Sequence, residues 1–225
     1  MKGKLIVIEG PDCSGKETQS KLPINRLREE GIQVEHFSFP NYDSPTGKVI
    51  MGPYLGKESF GESWFPKGAV SVDPKVAALY YAADRKYNIH KINWLLENGI
   101  HVILDRYVYS NMAHQGCKIT DEAERYKMYD WLEKLEFDLL ELPKPDVAIF
   151  LHMPTEKVSA LLQNREVLDD NEKNVEYLHD AERSYIELAK KYNFIRIACT
   201  DNNEIRSIED IHNEVFINIM ESLNK

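Results

Sequence analysis

Leu5-Ile6-Val7-Ile8-Glu9-Gly10-Pro11-Asp12-Cys13-Ser14-Gly15-Lys16-Glu17-Thr18 is a short β-branched run that passes into a G-x-x-x-x-G-K-x-T arrangement. Helical periodicity follows. Glycines at the two ends of such a loop let successive backbone N–H groups turn inward onto phosphate oxygens. The N-terminus of the helix adds its positive end, and Lys16 supplies a mobile cation for the β- and γ-phosphates. The stretch Gly10-Pro11-Asp12-Cys13-Ser14-Gly15-Lys16-Glu17-Thr18 therefore reads as the cradle of a nucleoside triphosphate. The strict form of the motif places Ser or Thr directly after the lysine to ligand Mg²⁺. Here that residue is Glu17, with Thr18 next, and either could approach the metal.

Further along the chain, short apolar runs alternate with longer helical stretches. The runs are Val34 to Phe39, Ile100 to Leu104, Asp146 to Leu151 and Phe194 to Ala198. They are continuous rather than alternating, as strands covered on both faces require. Strand and helix in alternation predict an α/β fold with a parallel sheet and helices on both sides. A helix is expected from Pro74, with Asp73 as its N-cap and Val76, Leu79, Tyr80, Ala83 and Tyr87 as its apolar stripe. Another carries Ile208, Ile211, Val215, Ile219 and Leu223. Ahead of the first of these helices, residues 43–73 carry five glycines among aromatics and read as an irregular excursion within one domain spanning 1–225. Residues 164–174, polar and rich in charge, read as a short lid.

Composition narrows the function classes. Lys and Arg number 28 against 37 Asp and Glu, a net charge of -9 that repels phosphate polymers, so no nucleic-acid partner is expected. Three cysteines, Cys13, Cys117 and Cys199, without C-x-x-C spacing, fit a reducing compartment better than a disulfide framework or a zinc knuckle. No apolar run has the length of a secretory signal core or a membrane span, so a cytoplasmic protein without membrane contact is expected.

The run Ile100 to Leu104 ends in Asp105-Arg106-Tyr107, followed by Ser110-Asn111 and Ala113-His114-Gln115-Gly116. Other pieces are Gly10-Pro11-Asp12-x-x-Gly15-Lys16-x-Thr18-Gln19, Phe39-Pro40, Tyr81-x-x-x-Arg85 and Leu142-Pro143-Lys144-Pro145-Asp146. Taken together and in this order, over nearly the whole chain, they resemble the thymidylate kinases. The resemblance implies a P-loop NTPase-type fold with a five-stranded parallel sheet. It implies ATP with Mg²⁺ as donor and thymidine 5′-monophosphate (dTMP) as acceptor, dTDP and ADP as products on the route to dTTP, and a homodimer. By the same resemblance, Lys16 holds the donor phosphates, Asp105 orients the metal, and Arg106 bridges the two reacting phosphates. Asp12 takes the acceptor's 3′-hydroxyl, Tyr81 stacks on the base, and Arg85 and Asn111 read its edge. Phe39, Pro40, Tyr42 and Ser110 join the acceptor side, and Arg165 packs on adenine.

Three departures stand out. Cys13 and Ser14 leave the loop without the basic residue some thymidylate kinases carry there. The stretch after Arg165 offers only Lys173 among Glu166, Asp169, Asp170 and Glu172. His114 stands where the family usually has a tyrosine near the sugar C2′, which implies weaker exclusion of ribonucleotides. Alternatives are a kinase for another nucleoside monophosphate and a nucleotide-binding switch without acceptor turnover.

Overall fold

The computed structural model describes residues 2–57, 62–162 and 175–224. Five strands, β1 (Leu5–Glu9), β2 (Val34–Ser38), β3 (His101–Asp105), β4 (Val147–His152) and β5 (Ile195–Ala198), form a wholly parallel sheet in the order β2-β3-β1-β4-β5. The expected fold class is thus borne out, with β1 at the centre.

Each strand splits its side chains between two cores because successive residues face opposite sides. Leu5 and Val7 join Val102, Leu104 and Phe150 against α3 (Pro74–Glu97), α4 (Val108–Gly116), α5 (Glu122–Glu133) and α7 (Val175–Lys191). Ile6 and Ile8 join Ile103, Ile149 and Leu151 against α1 (Lys16–Glu29), α6 (Thr155–Leu162) and α8 (Ile208–Leu223). A sheet covered on both faces is why the strands read as unbroken apolar runs. By the same alternation Glu9 falls on the α4 side, at the carboxyl end of β1.

The chain leaves β1 for β2 on one side and, after β3, returns past β1 to β4 on the other. The loops at the carboxyl ends of β1 and β3 therefore meet at the reversal of strand order, where open α/β sheets hold their ligands. Between β2 and α3 lie a short α2 (Pro45–Val49), a π-helical turn (Ile50–Tyr54) and a 3₁₀ turn (Ala69–Ser71). A two-stranded ribbon, β6 (Thr200–Asp201) with β7 (Glu204–Ile205), follows β5; nothing in the apolar pattern announced it.

Asp73 caps α3 as expected, its carboxylate accepting from the N–H groups of Lys75 and Val76 at 2.9 and 3.1 Å. Most of the expected apolar stripe of α3, however, faces outward, Tyr80 alone packing inward on Tyr54 and Phe65. Val76, Leu79 and Tyr87 are exposed, whereas the buried side carries Ala77, Ala78, Ala82, Asp84, Arg85 and Ile89. The inward face reads as half polar because Asp84 and Arg85 are spent on internal partners.

Candidate active site

At the reversal point is a cavity of about 670 Å³, walled by the β1–α1 loop, the start of α2's segment, α3 and α4. Gly10 must be glycine: a Cβ there would lie 2.6 Å from the Leu151 carbonyl oxygen. Gly15, the N-cap of α1, has φ 84°, a left-handed value that costs glycine little. Cys13 takes a left-handed φ of 58° without that exemption. Gly10, Pro11 and Ser14 are buried in the loop, and Asp12, Cys13, Gly15, Lys16, Glu17 and Thr18 line the cavity. The Lys16 ammonium donates to the Pro11 carbonyl at 2.5 Å and to Ser14 Oγ at 3.4 Å. Burial, then the neighbouring Arg106 charge, pull Lys16 down to about 8. The Glu17 carboxylate is engaged by Lys21 at 2.6 Å on the exposed face of α1.

Opposite the loop, β3 ends in Asp105 and Arg106. Arg106 has a φ of 63°, a strained value for a residue with a Cβ, of the kind that marks functional turns. Its guanidinium forms an ion pair with Asp12 and also reaches Ser110 Oγ, His114 Nε2 and Tyr185 Oη, each at 3.3 Å. Burial would push the Asp12 carboxyl up, but Arg106 and Lys16 outweigh it and hold the group well below the usual range. Asp12 is therefore a fixed anion that ties the loop to the end of β3. Asp105 has a buried Oδ1 with no hydrogen-bond partner among the described residues.

The acceptor-side residues named from the sequence surround the rest of the cavity. Phe39 packs on Tyr107, ring centroids 6.0 Å apart, and its peptide bond to Pro40 is cis. Lys57 lies 5.0 Å above the Tyr42 ring. Tyr81 stands edge-on to Tyr54 at 5.8 Å. Arg85 is buried and bound to Glu136, so it is no solvated helix residue. Asn111 is buried beside it. His114 donates or accepts through Nδ1 to the Tyr177 hydroxyl at 2.7 Å; burial pushes its imidazole down to about 3. Arg165 and the expected lid, Lys173 included, lie outside the described residues.

Several participants were missed in the sequence. Glu9 is fully buried, and its carboxylate accepts from Tyr107 N at 2.8 Å and from Ser110 N at 3.2 Å and Oγ at 2.5 Å, so it holds the first turn of α4 in place. Burial pushes its carboxyl up, against the pull of Ser110 and Arg106. A lone acid closing an apolar strand was the available signal. Tyr54, Leu55 and Lys57 bring the 43–73 excursion to the cavity wall. Asp84 anchors its start, accepting from Asn41 N at 2.8 Å, Ser44 Oγ at 3.0 Å and Thr46 Oγ1 at 2.7 Å.

Loop, guanidinium and orphaned carboxylate oxygen together suit transfer between two polyanions. Comparison with known proteins points the same way. A family profile described as thymidylate kinase matches residues 8–215. The chain is 32% identical over 216 residues to a probable thymidylate kinase of Pyrococcus horikoshii, covering 96% of this chain and 95% of that one. It is 32% identical over 215 residues to a thymidylate kinase of Plasmodium falciparum, covering 95% and 88%. Its fold matches a solved thymidylate kinase of Candida albicans with a TM-score of 0.74 at 24% identity, over 99% of this chain and 93% of that one, a likeness of fold.

Proposed function

Because this chain belongs to the thymidylate kinase family, enzymes that move the terminal phosphoryl group of ATP to dTMP, we propose that Lys16, Arg106 and Asp105 carry that transfer across the P-loop cavity. The products are ADP and dTDP. An oxygen of the acceptor 5′-phosphate attacks the γ-phosphorus in line while the bond to the β,γ-bridging oxygen breaks. That acceptor oxygen is already ionised at neutral pH, so catalysis is positioning and charge neutralisation rather than proton removal.

In this reading the loop N–H groups and Lys16 hold the donor phosphates, and Arg106 lies between donor and acceptor, where its planar donors offset the repulsion of two anions. Asp12, kept ionised, accepts from the sugar 3′-hydroxyl. Tyr81 stacks on the base while Arg85 and Asn111 meet its edge, with Phe39, Pro40, Tyr42, Ser110 and His114 completing the acceptor wall and the 43–73 excursion behind them. Arg165 serves the adenine. Mg²⁺ neutralises donor phosphate charge when bound. No group of three metal-ligating side chains stands together among the described residues. Such a donor-poor site fits an ion that is held by phosphates, waters and one or two protein oxygens. The unpartnered Oδ1 of Asp105 is the oxygen suited to it. Thr18 is the second donor we assign, since Lys21 takes the Glu17 carboxylate.

The observation that carries this reading is the Asp12–Arg106 ion pair, which joins the donor loop to the acceptor wall. The test is ADP release with dTMP, deoxyuridine, deoxyguanosine, cytidine and uridine monophosphates offered singly. We expect a rate with dTMP at least about tenfold above those with cytidine monophosphate, whose base edge is reversed, and deoxyguanosine monophosphate, whose base is a purine, with a smaller gap to the uracil nucleotides that share the thymine edge. Equal rates across the panel would discard the acceptor assignment, and no acceptor-dependent rate would favour a nucleotide-binding switch.

We also propose a homodimer. Val76, Leu79, Tyr87 and Trp94 share one face of α3 and are exposed at 44, 50, 56 and 58%, an apolar stripe suited to a second copy. No helix among the described residues is long and apolar enough to cross a membrane. Three cysteines without C-x-x-C spacing support a cytoplasmic setting, and the net charge of -9 supports small nucleotides rather than nucleic acid as partners.

A further inference from the structure

Glu136 lies in the π-helical turn Lys134–Leu139 that continues α5, with its side chain wholly enclosed, and phosphoryl transfer makes no use of it. Its two oxygens are divided between the base-reading residues. Oε2 accepts from Arg85 Nε, and Oε1 accepts from Arg85 NH2 at 2.6 Å and from Asn111 Nδ2 at 2.9 Å. Asn111 Nδ2 also donates to the Ala78 carbonyl at 3.1 Å.

These contacts determine which way the amide faces. A carboxylate and a carbonyl only accept, so inverting Asn111 would set its Oδ1 against two acceptors. Oδ1 is thereby left on the other edge, where it is buried and has no hydrogen-bond partner among the described residues. Arg85 has likewise spent Nε and NH2 on Glu136. Its NH1 reaches the Tyr107 carbonyl at 3.5 Å, the edge of hydrogen-bond range. Both residues line the cavity, so its wall carries an enclosed, unmatched acceptor and an under-used donor, each costly unless a ligand completes it.

We propose that Glu136 is a positioning residue that sets the hydrogen-bonding polarity of the base-binding end, admitting a base with a carbonyl oxygen next to a ring N–H. Thymine and uracil present that pattern at O4 and N3. Cytosine presents an amino group beside an unprotonated nitrogen, which meets the Arg85 donor with donors and the Asn111 acceptor with an acceptor. The proposal rests on the reading that Arg85 and Asn111 hold the base of the acceptor nucleotide. A merely structural Glu136, pinning α3 to the end of α5, would weaken every nucleotide alike.

The test is calorimetric binding of dUMP and dCMP, which differ only at this edge, to the wild-type protein and to Glu136→Gln, whose amide cannot satisfy all three donors at once. In the wild type dCMP is expected to bind at least about a hundredfold more weakly than dUMP. In the variant that ratio should fall below about tenfold, and Glu136→Asp should recover part of it. Parallel weakening with the ratio preserved overturns the proposal. Binding is measured without ATP, so a wild type that shows this ratio but no dTMP-dependent ADP release sinks the kinase reading and not this one. Should Glu136→Gln fail to fold, the wild-type protein still decides the matter by NMR. The Asn111 side-chain amide protons, identified by their loss in Asn111→Ser, are expected to resist solvent exchange before any nucleotide is added. Protons that exchange freely until dUMP binds would overturn it.

Discussion

Arg106 combines a left-handed backbone with an ion pair to a residue 94 positions earlier, and both features serve to aim one guanidinium. Arg106→Ala should lower kcat by about a thousandfold or more, as expected of an arginine that offsets charge between two phosphates. Arg106→Lys should recover little, since an ammonium cannot span both anions. Steady-state kinetics on folded variants decide this, and a loss under tenfold would remove Arg106 from the reaction. His114 touches Arg106 through Nε2 and Tyr177 through Nδ1, so it is a bound wall element rather than a free ring. His114→Tyr should raise deoxy-over-ribo selectivity, and comparable selectivity before and after would discard a role at the sugar. Its ionisation has a definite sign. The folded value of about 3 lies below the ordinary 6.5, so the unfolded chain binds more protons between those limits. The stabilising contribution is complete above pH 6.5 and is lost as pH falls toward 3. Melting temperatures between pH 7 and 4 should fall less steeply in His114→Gln than in the wild type.

At the scale of elements, strands were the most legible feature. Unbroken apolar runs such as Leu5 to Ile8 and Ile100 to Leu104 mark two-faced burial, and the structure alters their ends by a residue or so. Helix α3 was the hardest. Its N-cap was readable from Asp73-Pro74, yet most of its apolar stripe, Tyr80 apart, is turned outward. Periodicity reports which residues share a face, not whether the core or another chain covers it. The polar residues on the inward face do specific work there. Asp84 gathers the Asn41 N–H and the hydroxyls of Ser44 and Thr46, and so pins the segment that follows β2 to α3. Asp84→Ala would strand those donors in a buried place and should cost about 2–4 kcal/mol. The loss would appear in urea unfolding, accompanied by a higher KM for dTMP because the Phe39–Tyr42 wall is loosened. A KM that does not move would confine Asp84 to stability.

For the whole molecule, the exposed stripe on α3 sets the expected assembly. Leu79→Glu with Trp94→Glu places two like charges on the proposed shared face of each copy, and light scattering should then report a monomer where a dimer is expected of the wild type. The monomer's melting temperature should also lose its dependence on protein concentration. A wild type that is monomeric at micromolar concentration would leave the stripe unexplained by self-association.

By itself the sequence determined the parallel α/β sheet, the phosphate cradle at Gly10 to Thr18 and the resemblance carried by Asp105-Arg106 and Tyr81-x-x-x-Arg85. Those features depend on strand burial, turn chemistry and residue spacing, which are local properties of a chain. Tertiary structure alone decided that Glu9 holds the start of α4, that Asp12 grips Arg106, and that Glu136 orients Arg85 and Asn111 across 51 and 25 positions. A carboxylate in a sequence reads as solvated until its donors are known. Those donors are assembled only when β1, β3 and α3 are brought side by side, because burial makes each acid seek partners that no local pattern specifies.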